Sequence, residues 1–257
     1  MPINSICKSI LEWLLLILGF FYWAVIGLLI TFLGAVLGFL LSGKNARNCG
    51  RFLISQSFKF FIGFLRISGL LILDDIELKK ISKIEGAAII APNHIALWDA
   101  VFIVASIPEL VCVMKAEILR NPFLGGAQLA GYIPNDSISI MFKRAIHCLD
   151  AQEKLLLFSE GTRTKKDAKW INPLKGGVAL LARKARVPVV PVFIRSNTRF
   201  FEKGWPLFKK PDFPLHISFT VGDALYIKSN ESTHAFNMRL EDVYITALSS
   251  PHPLIRS

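Results

Sequence analysis

The sequence predicts an α/β fold: a mixed, largely parallel sheet flanked by helices, behind an N-terminal membrane-embedded helical segment. Three observations carry that expectation. From residue 86 onward short apolar runs alternate with segments of helical period, as strands joined by crossover helices require. The polar residues with the most chemical potential fall directly after apolar runs, where ligand sites of open α/β sheets gather. Residues 13–43, WLLLILGFFYWAVIGLLITFLGAVLGFLLSG, contain no charged residue at all, and a core helix of a soluble domain is seldom apolar on every side.

That segment exceeds the roughly 20 residues a helix needs to cross a bilayer, and it is too long for the apolar region of a cleaved signal peptide. Gly27, Gly34 and Gly38 offer places to bend, so a spanning helix and a monotopic hairpin are both open. Lys44, Arg47, Arg51, Lys59 and Arg66 follow it, against Lys8 before it. This asymmetry predicts an inner-membrane protein whose remaining chain is cytoplasmic. Residues 51–73 repeat Phe52, Phe58, Phe61, Ile62 and Leu65 at helical spacing, as in a helix at a membrane interface or one covering a domain face. The chain thus divides into a membrane-embedded and interfacial helical segment, 1–70, and an α/β domain, 71–257.

Within the second part, residues 86–91, 110–114, 154–160, 187–194 and 215–221 read as strands. Residues 99–107, 137–152, 175–185 and about 232–249 read as helices. The composition agrees with lipid contact, at 53% hydrophobic residues and a mean hydropathy of +0.47. A net charge of +11 raises the question of nucleic acid. No basic region is coupled to a recognition motif, so anionic headgroups are the expected partner and nucleic acid is not. Cys7, Cys49, Cys112 and Cys148 share no metal-ligand spacing, and a cytoplasmic setting keeps them as free thiols; no metal site is expected.

Two motifs carry chemistry. In APNHIALWDAVF, His94 lies just beyond one strand and Asp99 opens the next helix. A tight loop can return the carboxylate to one imidazole nitrogen and leave the other facing a substrate hydroxyl, which is the arrangement of a general base. The same spacing also describes a capping aspartate beside an ordinary loop histidine. In FSEGTRT, Glu160, Gly161, Thr162 and Arg163 form a polar turn after a second strand. Arg163 offers a planar fork suited to phosphate, with Lys165, Lys166 and Lys169 nearby. Read alone, this is equally a solvated surface loop.

Together these residues resemble the lysophosphatidic acid acyltransferase family. NHIALWD matches its histidine, four-residue gap and aspartate, and FSEGTRT matches its glutamate, glycine, threonine and arginine block. KAEILRNPFLGGAQLAGYIPND resembles the second block, with Lys115, Glu117, Pro122, Gly125 and Gly131 in place. VPVVPVFI resembles the fourth, with Pro188 and Pro191, and PLKGG supplies Lys175. The resemblance covers about residues 85–195. It implies that His94, oriented by Asp99, activates an acceptor hydroxyl for direct attack on the thioester of acyl-CoA or acyl carrier protein. It also implies that Asn93, Lys115, Glu160, Gly161, Thr162, Arg163, Lys175 and Pro188 serve substrate binding. No cofactor is implied beyond the thioester co-substrate, and no covalent nucleophile is demanded.

One position departs from the pattern. Where the family commonly has arginine after the aspartate of the second block, Ser137 follows Asp136, and Lys143 or Arg144 are the nearest compensating cations in sequence. The expected acceptor is lysophosphatidic acid, with another lysophospholipid or a lyso-aminolipid as the alternative. A non-catalytic lipid-binding membrane protein is the rival from another class, and it has no need of an oriented base.

Overall fold

The computed structural model describes residues 2–41, 43–121, 126–198, 200–202, 204–206 and 209–251. Pro122 and Gly125 of the second block lie outside them. In chain order the elements are α1 (Pro2–Leu40), α2 (Gly43–Ile67), β1 (Leu71–Asp74), α3 (Lys79–Ser82), β2 (Ala88–Pro92), α4 (Asp99–Ser106), β3 (Val111–Met114), α5 (Ala116–Arg120), α6 (Gly126–Leu129), β4 (Ile133–Pro134), α7 (Ile138–Asp150), β5 (Lys154–Leu156), α8 (Gly177–Ala185), β6 (Val189–Ser196), β7 (Leu215–Val221) and α9 (Thr233–Ser249).

The seven strands form one sheet in the order β1, β7, β6, β2, β5, β3, β4. Five of them, β6, β2, β5, β3 and β4, run parallel. β7 pairs antiparallel with β6 and parallel with β1, so the sheet is mixed and largely parallel, as expected. Both faces are covered, which is why β2 and β6 read as unbroken apolar runs. The alternating pleat sends Ala88, Ile90, Val190, Val192 and Ile194 to a core shared with α1, α2 and α4. It sends Ile89, Ala91, Val189 and Phe193 to a second core with α7, α8 and α9.

α1 is a single continuous helix, and Gly27, Gly34 and Gly38 do not break it. At 39 residues it is about 58 Å long. Residues Ser5–Leu40 are long and apolar enough to cross a membrane. A narrow stripe of α1, with Leu16 at its centre, packs inward. Much of the remaining described surface is uncovered and apolar, including Leu14, Ile17, Leu18, Phe21, Leu28, Phe32 and Phe39. The chain reverses after Leu41, with Gly43 in a left-handed conformation, and α2 returns along α1.

α2 is the covering helix of the two readings given for residues 51–73: Ile54, Phe61, Ile62 and Leu65 are buried, whereas Phe52 is exposed. The helix ends at Ile67 and the remaining apolar residues form β1, a strand that helical spacing had hidden. Arg51 corrects a second expectation. It does not face headgroups but is buried, donating to the carbonyls of Ala130 (3.0 Å) and Glu109 (3.4 Å) and to the Glu153 carboxylate (2.7 Å). Its neighbour Gly50 permits this approach, since a Cβ there would lie 2.6 Å from the Ala130 amide nitrogen.

Candidate active site

Because five strands are parallel, their carboxyl ends lie along one edge, and the sheet order sets side by side the connections that follow them. The connection after β2 carries His94 and Asp99. The one after β5 carries residues 158–164, the one after β3 carries Lys115, and the one after β6 carries Phe200–Glu202. Strand β5 is shorter than residues 154–160 suggest, ending at Leu156, because the chain turns at Phe158 to bring Glu160 back under the β2 connection.

His94 Nδ1 lies 2.9 Å from Asp99 Oδ2. The same carboxylate oxygen accepts the Ala96 backbone N–H at 2.8 Å, and Asp99 is 2% exposed. Asp99 opens α4 and its side chain closes back on the loop, which fixes both its rotamer and the imidazole plane. The His94 ring stacks on Phe158, with centroids 4.0 Å apart. Its other nitrogen, Nε2, has no hydrogen-bond partner among the described residues.

Glu160 stitches this loop to the next one. Its carboxylate accepts the backbone N–H of His94 (2.8 Å), the Thr164 hydroxyl (2.8 Å) and the Asn172 backbone N–H (2.7 Å). Thr164 in turn donates its backbone N–H to the His94 carbonyl at 2.6 Å. Burial pushes the Glu160 carboxyl up, while the three donors hold it part of the way down. At 1% exposure it cannot touch a substrate, so its place is in positioning rather than in binding. Asn93 needs the same correction. It is buried, its amide donating to the Ile194 carbonyl and accepting the Ile194 N–H at 3.0 and 2.7 Å. The side chain thereby extends the β2–β6 pairing by one step.

Gly161 adopts φ +64, and a Cβ there would sit 2.7 Å from Cδ of Lys175, so a side chain would displace that lysine. Lys175 is exposed beside the turn, and Thr162 is half-buried. Arg163 is half-buried and donates from Nη1 to the carbonyls of Phe201 (2.5 Å) and Glu202 (3.1 Å), while Nε and Nη2 have no partner among the described residues. Of the neighbouring lysines, Lys166 pairs with Glu202 at 2.9 Å and Lys169 lies over the Trp170 ring. Lys115 is exposed at the head of α5.

Pro188 is not brought to this edge. It precedes β6, at the opposite end of the strands, where its carbonyl accepts the Ile89 N–H. Lys143 and Arg144 are exposed on α7. Arg120 is brought beside the residue preceding Ser137 by its 3.5 Å ion pair with Asp136. The buried thiols of Cys112 and Cys148 are pushed up to about 12 by burial, which leaves them inert as nucleophiles.

Several positioning groups were not evident from the residues. Thr164 sits inside FSEGTRT but its bond to His94 spans 70 residues. Asn172 is buried, accepts the Lys165 N–H and donates to the Arg163 carbonyl. Tyr244 of α9 donates its hydroxyl to the Ala91 carbonyl beneath the site. Nothing in their local sequence signals these long-range bonds.

Residues 75–195 match the family model described as Acyltransferase. The chain is 31% identical over 137 residues to a 1-acyl-sn-glycerol-3-phosphate acyltransferase of Helicobacter pylori, covering 50% of this chain and 57% of that protein. It is 25% identical over 226 residues to the protein of the same name from Pseudomonas aeruginosa, covering 85% and 80%. It thus spans little more than half of the first relative's length and most of the second's. The fold is that of the crystal structure of the 1-acyl-sn-glycerophosphate acyltransferase PlsC from Thermotoga maritima. The TM-score is 0.69 at 18% identity, and each chain is covered to 95%.

Proposed function

We propose that the chain belongs to the lysophosphatidic acid acyltransferase family and transfers a fatty acyl group from an acyl thioester to the hydroxyl of lysophosphatidic acid, giving phosphatidic acid. The observation that carries this reading is the His94–Asp99 pair, held at 2.9 Å with Nε2 left over. Asp99 holds the proton of Nδ1, so Nε2 is the basic nitrogen. It removes the proton of the acceptor hydroxyl as that oxygen bonds to the thioester carbonyl carbon. The imidazolium that forms is stabilised by Asp99. Collapse of the tetrahedral adduct breaks the C–S bond, and the thiolate leaves with the proton from Nε2. The donor, acyl-CoA or acyl carrier protein, arrives already activated, so the step calls for neither a metal nor a covalent enzyme intermediate.

Arg163 is placed one connection away with part of its guanidinium uncommitted, which suits the acceptor phosphate. Lys115 and Lys175 add positive charge along the same edge. Asp136 already faces the guanidinium of Arg120, so the region around Ser137 has a cation despite the departure noted in the sequence. This supports lysophosphatidic acid over an acceptor lacking a phosphate monoester.

The exposed apolar length of α1 and the exposed Lys44, Arg47, Lys59 and Arg66 of α2 fit insertion into an anionic leaflet, with the sheet on the cytoplasmic side. The test is thiol release by the purified protein in detergent micelles, with acyl-CoA or acyl carrier protein and a series of lyso-lipids. Turnover should be greatest with lysophosphatidic acid. Turnover with none of the acceptors removes the reading, and a preference for a lyso-lipid without a terminal phosphate replaces its acceptor. In membrane fractions the protein should resist extraction by high salt, because an inserted apolar helix is not held by screened charges; release by salt alone contradicts insertion.

A further inference from the structure

Phe201 has a left-handed backbone, φ +57, which a bulky residue rarely adopts and which persists only where its surroundings over-determine it. The surroundings are specific. Its carbonyl accepts the Leu97 N–H at 3.3 Å, inside the loop between His94 and Asp99, and Nη1 of Arg163 at 2.5 Å. Its ring meets Phe20 of α1 edge-on at 5.9 Å and Trp98 at 5.0 Å, and lies 3.9 Å from Phe200. Trp98 directly precedes Asp99, and its own ring meets Phe61 of α2. One carbonyl therefore serves both the histidine–aspartate loop and the arginine, while the ring on the same residue is keyed to the apolar N-terminal helix.

We infer that Phe201 is a positioning residue that couples the seating of α1 to the geometry of the active site. The ring contacts hold the backbone in the left-handed conformation, and that conformation aims the carbonyl at Leu97 and Arg163 together. When the ring loses its support the carbonyl turns away, and both loops lose an acceptor at once. Among the described residues no hydrogen bond or ring contact joins Phe20 to His94, Asp99 or Arg163, yet by this route it controls them. The activity readout of this inference rests on the acyltransferase reading; the exchange readout does not.

Amide hydrogen exchange and steady-state kinetics of the full chain in detergent micelles, for wild type, Phe20→Ala, Phe201→Ala and Phe201→Tyr, test the coupling. Both alanine variants should speed exchange of the Leu97 amide about three- to tenfold, the size of one edge-on aromatic contact. Amides of α8, on the other face of the sheet, should keep their wild-type rates. The acceptor KM should rise by a similar factor and the donor KM by less than about twofold. Phe201→Tyr keeps the ring and should match wild type. Unchanged Leu97 exchange in Phe20→Ala overturns the inference, as does a parallel rise in α8, which marks general loosening. If Phe201→Ala does not fold, Phe20→Ala decides alone. If wild type shows no transferase activity, the functional reading fails and the exchange rates still decide the coupling.

Discussion

At the edge of the sheet where the parallel strands begin, Arg51 is buried with its donors shared among two backbone carbonyls and the Glu153 carboxylate. At the edge where they end, Arg163 commits one nitrogen to Phe201 and Glu202 and keeps the rest of its fork available. The two residues have the same chemistry but different degrees of satisfaction. A buried cation that commits both Nε and Nη1 within the protein fixes the packing of α2 against the connections before β3, β4 and β5. A half-satisfied cation held rigidly at an open edge is pre-organised for a ligand. The histidine follows the same rule, with one nitrogen given to Asp99 and the other left over.

Replacing groups at each edge tests this contrast. The largest effect should come from His94→Ala, which removes the proposed base. Turnover should fall by about 10²–10⁴-fold while the thermal midpoint stays near wild type, and near-normal turnover would end the mechanism. Next is Arg51→Ala. Breaking a buried pair costs about 3–5 kcal/mol, and because Glu153 keeps 19% side-chain exposure we expect about 2–3 kcal/mol, read from denaturant unfolding. Activity per folded molecule should change little; a loss of activity with stability intact would break the comparison between the edges.

Arg163→Ala should raise the acceptor KM about tenfold, with a much smaller change for the acyl donor, because a charge-assisted bond made in the ground state appears in KM. A fall in kcat with both KM values unchanged would move Arg163 from binding to transition-state stabilisation. The smallest effect concerns pH. Burial raises the Glu160 carboxyl in the folded state, so the folded protein takes up this proton more readily than the unfolded chain. That linkage contributes stability which is fully present below the ordinary carboxylate value and lost as pH rises through the folded one. As pH falls from neutral through the raised folded-state value, wild type should therefore gain thermal stability relative to Glu160→Gln. A constant difference between the two would mean that Glu160 does not titrate there.

Much of this was legible in the residues, and the unread part has a common cause. β2, β3, β5, β6 and β7 announce themselves as apolar runs, and the His94–Asp99 and Glu160–Arg163 turns follow two of them. β1 was concealed because Leu71, Ile72 and Leu73 continue the apolar pattern of α2, and β4 because it is two residues long and contains a proline. Arg51 read as a headgroup-facing cation because its carboxylate partner lies 102 residues away. The resemblance implies Asn93 and Glu160 as substrate ligands, but their burial depends on β6 and on Asn172, which local sequence does not reveal. Pro188, also implied by the resemblance, lies just before a strand, and the site lies where strands finish.

The ion pair between Glu12 of α1 and Lys210 in the connection between β6 and β7 joins residues 198 positions apart. At about 5–20 residues per second, the ribosome needs about 10–40 s after making Glu12 to supply its partner. Through that interval the apolar length of α1 lacks the loop, while the strands from β1 to β6 are supplied one after another and β7 comes last. Whatever first covers it, a bilayer or a chaperone, therefore sets the starting point from which the catalytic edge is assembled. Refolding the full chain from denaturant, where helix and sheet become available at the same instant, explores a different route from the one taken during synthesis.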